Sequence, residues 1–133
     1  MTERFIKKQD HWLDTKTNLE WSVENYDPMT WHEAIAKFDG SSDWRLPTIE
    51  ELNTLVDYSI YEPSTELADM ISSFYWSSTT YAYGTDYAWF VSFYVGYDSD
   101  YPKIGHNYVR AVRGEGRTKM TELNPCLNTT LDP

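Results

Sequence analysis

The chain carries a single cysteine, Cys126, among 133 residues. That leaves it no disulfide within the chain and no cysteine-based zinc cage. From Leu46 to Pro102 there is no Lys or Arg, while Glu50, Glu51, Asp57, Glu62, Glu66, Asp69, Asp86, Asp98 and Asp100 all fall there. The formal net charge is −10. Such a surface repels phosphate backbones, so nucleic acid is not an expected partner. No stretch approaches the roughly 20 apolar residues of a membrane span. The opening Met1–Asp10 lacks the continuous apolar run of a secretory signal. The expectation is a chain of the cytoplasm or of a phage particle, with no membrane partner.

What the chain has instead is aromatic side chains, at 17% of the sequence with 11 Tyr and 6 Trp. These bury enough area to offset ordering entropy, and the length suits one domain. We read residues 1–113 as that domain and 114–133 as a tail of Gly, Thr, Asn and Pro character. Arg4 to Trp21 reads as two short strands around the turn Asp14-Thr15-Lys16-Thr17-Asn18. Thr30 with Glu33 makes a capping box for a helix running to Phe38, whose stripe is Trp31, Ala34, Ile35 and Phe38. Thr48 with Glu51 caps a second helix that carries Ile49, Leu52, Leu55 and Val56 and ends near Asp57 to Ser59. From there the period changes to two. Phe74–Thr79 and Tyr108–Arg113 read as strands, and in Tyr87–Tyr97 the set Tyr87, Trp89, Val91, Phe93, Val95, Tyr97 is the expected core face.

Four strings in order carry a family resemblance: Asp14–Trp21, Trp44–Thr48 with Glu50-Glu51-Leu52, Tyr75–Thr79, and Ala88-Trp89 through Gly96 to Val109–Arg113. Across residues 4–113 the chain resembles the DUF1566 family, also called the Lcl C-terminal domain. The resemblance implies an α+β, C-type-lectin-like fold, with two helices packed on a short, twisted, mostly antiparallel sheet. Exported relatives carry signal peptides and paired cysteines, which this sequence does not show. The glycosaminoglycan binding of the adhesin that names the family fits poorly with a central region free of Lys and Arg.

The catalytic options are thin. His11, His32 and His106 form no His-x-x-x-His or His-Glu-x-x-His spacing. Ser77, Ser78, Thr79 and Thr80 lack the Gly-x-Ser-x-Gly frame of a nucleophile elbow. Oxidase chemistry of the formylglycine-generating type needs a cysteine pair that this chain lacks. Asp98 and Asp100, in a stretch read as loop, are the oxygen ligands on offer to Ca²⁺. The Glu-Pro-Asn and Trp-Asn-Asp strings of calcium-dependent sugar-binding lectins are absent, Glu62-Pro63 being followed by Ser64. No cofactor is expected. Trp21, Trp31, Trp44, Trp76 and Trp89 read as core, and Arg45, Arg110 and Arg113 as scaffold.

The remaining signal is the Tyr-rich region from Thr79 to Tyr108, interleaved with Gly, Ser, Asp and Asn in the manner of antibody paratopes. The sequence reading is a non-catalytic recognition module that binds a protein, with a glycan second, through loops around the Tyr80s and residues 97–106. Tyr81, Tyr83 and Tyr101 are its expected anchors, Asp86, Asp98 and Asp100 an acidic rim, and His106 a polar contact. Two other classes stand beside it: an acidic inhibitor or decoy of phage or mobile-element origin, and an enzyme with an unrecognised site.

Overall fold

The computed structural model describes residues 3–114, so the tail beyond Gly114, with Cys126, lies outside the described residues. The element order is β1 (Phe5–Lys7), β2 (His11–Asp14), β3 (Glu20–Met29), α1 (Trp31–Lys37), α2 (Ile49–Asn53), β4 (Phe74–Thr80), β5 (Tyr87–Ser92), β6 (Tyr97–Pro102) and β7 (Asn107–Arg113). The strands form one seven-stranded sheet in the order β1-β2-β3-β7-β4-β5-β6. Neighbours run antiparallel except β4 and β7, which meet in parallel with Tyr75 opposite Tyr108.

This corrects the lectin-like α+β expectation of two helices packed on a short sheet. The molecule is β-rich, a mixed seven-stranded sheet with helices of only seven and five residues. Both capping boxes form, with Thr30 and Thr48 each accepting from the N–H of the Glu three residues on. The helices then stop early. Ile35 stays exposed, so α1 buries only Ala34 fully. In α2 the Thr54 N–H folds back onto the Glu50 and Glu51 carbonyls, and Leu52 is its buried residue. Leu55 and Val56, expected on the helix, follow it in a turn, where Leu55 is still fully buried.

Consecutive strand residues point to opposite faces, and Tyr75 and Trp76 of β4 show where each face goes. Tyr75 joins Leu52, Leu55, Leu67, Val91, Phe93 and Val112 in one core cluster. Trp76 joins Ala34, Leu46, Ala88, Phe90 and Val109 in another. The helices thus contribute to different cores, α2 to the first and α1 to the second. Trp31 secures the second by donating its indole N–H to the Ser77 carbonyl at 3.0 Å.

The segment before Trp21 holds three strands, not two: β1 pairs with β2, and the Asp14–Asn18 turn joins β2 to β3. In β5 the expected core face is the more open one at its start, Tyr87 exposed and Trp89 half-buried while Ala88 and Phe90 are buried. The alternation ends at Ser92 because residues 93–96 turn, with Gly96 at φ +85°. Asp98 and Asp100, read as loop, and Tyr97, expected in the core but exposed, instead belong to β6 at one edge of the sheet.

Candidate functional site

The family strings are explained by what they hold together. Asp14 is fully buried and accepts both Arg4 Nε and Nη2 at 2.8 Å. The same carboxylate takes the Lys16 N–H at 3.0 Å and the Thr17 hydroxyl at 2.9 Å, closing the turn. Arg4 also donates to the Thr54 carbonyl at 2.7 Å, tying β1 to the end of α2. Burial works to raise the Asp14 pKa, but the Arg4 bonds and charge and the turn donors outweigh it and hold the group below the usual carboxylate range.

Arg45 grips Glu51 with two bonds of 2.6 and 2.7 Å, and Glu51 also accepts the Thr48 N–H at 2.9 Å. The Pro47 carbonyl accepts from Ser78 N–H at 2.7 Å, and Thr79 Oγ1 accepts from Ile49 N–H at 3.0 Å. Ser77 donates its hydroxyl to the Trp89 carbonyl at 2.7 Å. The Ser-Ser-Thr run therefore welds β4 to the α2 entrance and to β5, and presents no nucleophile–base pair among these bonds. Arg110 is buried and donates Nε to the Ser22 carbonyl at 2.7 Å and Nη1 to the Ala68 carbonyl at 3.1 Å. Burial pushes its pKa down and pushes the nearby Tyr75 phenol up to about 12. Arg113 bonds Glu20 at 2.5 Å and lies over the Trp44 ring.

The expected site residues separate into three places. Tyr81, Tyr83 and Asp86 share the β4–β5 connection, closed by Tyr81 N–H to the Tyr87 carbonyl at 2.9 Å. Tyr83 is 92% exposed, with its ring 5.9 Å from that of Tyr81. Tyr81 in turn meets Trp89 edge-on at 5.5 Å. Gly84 sits between rings: a Cβ there would lie 3.6 Å from Tyr87 and 3.7 Å from Tyr81. Asp86 is exposed and passes its carbonyl to the Lys103 N–H at 2.8 Å, joining this tip to the β6–β7 turn that carries exposed His106.

Asp98 and Asp100 lie elsewhere, along β6 opposite Val91 and Trp89. Asp98 Oδ2 accepts from Asn53 Nδ2 at 2.8 Å. Among the described residues no group of three or more His, Cys, Asp or Glu is placed to hold a metal ion. Tyr101 does not stand free as an anchor. It is half-buried, with its ring 5.6 Å from Phe90, 5.9 Å from Trp76 and 6.0 Å from Phe74. Its place opposite Ala88 turns it to the Trp76 face, where the sheet offers aromatic partners.

Sequence reasoning passed over Trp89, which backs Tyr81, and Lys103. Lys103 is buried with Nζ 3.9 Å from the Trp31 ring centre and 3.1 Å from Thr80 Oγ1. It is the first cation after the acidic stretch, and that isolation was its signal. Exposed Tyr58 and Tyr61 were missed as well, because they lie in the irregular stretch with no period to read.

No helix among the described residues is long and apolar enough to cross a membrane. No curated protein matches the sequence significantly. A family model does: that of the Lcl C-terminal domain matches residues 11–113, the span of the strings and of the sheet from β2 to β7. The chain belongs to the Lcl C-terminal domain family.

Proposed function

We propose that this domain is a non-catalytic recognition module that binds a protein, or in second place a glycan, through the β4–β5 tip. Tyr83 and Tyr81 are its anchors, Trp89 their support and Asp86 its acidic rim. One observation carries the reading: a nearly fully exposed tyrosine rests on a ladder of rings, Tyr83 on Tyr81 on Trp89. A tyrosine presented this way offers a large amphipathic surface and has only two side-chain torsions to fix on binding.

The test begins with a glycan array and a displayed peptide library, to obtain a ligand for the wild-type domain. Tyr83→Ala and Tyr81→Ala are each expected to weaken it by about tenfold or more. Tyr58→Ala, which removes an exposed tyrosine from a different loop, is expected to leave it unchanged. Equal effects of Tyr83→Ala and Tyr58→Ala would overturn the reading. An acidic decoy would show itself by binding that collapses between low and high salt, whereas ring contacts are much less screened.

A further inference from the structure

β6 ends the sheet, and β5 is its only neighbour among the described residues. In an antiparallel pair the backbone groups of a strand point alternately toward the neighbour and away from it. Lys103 N–H donates to the Asp86 carbonyl at 2.8 Å, the bond that sets the parity of the β5–β6 ladder, while the Lys103 carbonyl turns away to accept from Trp31 N–H at 3.1 Å. Every second pair back from it exchanges hydrogen bonds: Tyr101 with Ala88, Ser99 with Phe90, Tyr97 with Ser92. Asp98 and Asp100 therefore turn their N–H and C=O groups outward. Among the described residues no other backbone group bonds them. The open stretch closes at Pro102, which has no N–H and whose carbonyl accepts from Gly105 N–H at 2.9 Å.

We propose that this edge accepts an extended, basic segment of a partner protein as an added antiparallel strand. Charge names the occupant. A strand that exchanges hydrogen bonds with Asp98 and Asp100 sets one residue straight across from each, on the same face and with Cα atoms about 5.5 Å apart. Two carboxylates at those places select Lys or Arg at alternate positions. The residue between them points to the other face, beside Tyr97, Ser99 and Tyr101, where an apolar side chain is favoured; the Tyr97 ring is 45% exposed there. The same aspartates disfavour a second copy of this chain, since two such edges would bring like charges together. Asp100 lies across from Trp89, which backs Tyr81, so this edge adjoins the β4–β5 tip, but the two tests share no variant.

The probe is a capped decapeptide in which Lys alternates with Val and Thr, compared with a peptide of the same composition whose Lys residues form one block. Amide hydrogen exchange is followed residue by residue. The alternating peptide is expected to slow exchange at Asp98 and Asp100 by about tenfold or more, and the blocked one to leave it unchanged. N-methylating the peptide at its two facing positions is expected to abolish the protection, with the protein itself unaltered. The double variant Asp98→Asn with Asp100→Asn is expected to weaken binding about fivefold. Unchanged exchange, equal protection by both peptides, or protection that rises with protein concentration alone would each overturn the proposal, the last by making the occupant a second copy.

Discussion

Asp14 keeps its charge out of reach of water because its two oxygens are shared among Arg4, the Lys16 N–H and Thr17. Asp14→Ala leaves Arg4 without its partner and the turn without its clamp, and is expected to cost about 3 kcal/mol in urea unfolding. The folded pKa lies below the unfolded value, so the carboxylate stabilises the fold above the unfolded pKa, near 3.9. That contribution is lost as pH falls through the folded value. Glu51 behaves alike: burial opposes ionisation, and the bonds from Arg45 and Thr48 outweigh it. Thermal melts from pH 7 to pH 2 are expected to fall in midpoint below about pH 4, and less steeply in Asp14→Asn than in the wild type. A variant that tracked the wild type across that range would show that Asp14 contributes no such linkage.

At the scale of elements, the two capping boxes are alike in sequence and unlike in consequence. Thr30 and Glu33 serve α1 alone, whereas Glu51 carries the Arg45 pair as well as the Thr48 N–H. Thr48→Ala is expected to cost about 1 kcal/mol or somewhat more, and Thr30→Ala less, by chemical denaturation. Both helix starts were legible because a capping box is a local device, complete within four residues. The ends were not, because no local signal told Leu55 and Val56 to leave the helix; the core they fill is assembled from β4, β5 and the loop at Leu67. β6 was illegible for a different reason. Tyr-Asp-Ser-Asp-Tyr reads as loop by composition, and only pairing with β5 makes it a strand. The site divides the same way. Clustering on one stretch of chain pointed to Tyr81 and Tyr83 together, while Tyr101 required knowing which face its register gives it.

For the whole molecule, the excess of negative charge opposes compaction, and screening relieves that opposition. Raising NaCl from 0.05 to 0.5 M is expected to raise the Tm by a few degrees, about 1 kcal/mol at this size. A Tm that fell with salt would mean that attractive pairs such as Arg4–Asp14 outweigh the repulsion. β7, made by residues 107–113, lies inside the sheet between β3 and β4 and supplies Val109, Ala111 and Val112 to the interior. During synthesis both halves of the sheet emerge before the strand that joins them. Neither half has its inner neighbour until Arg113 has cleared the ribosome exit, so the domain closes in one late step.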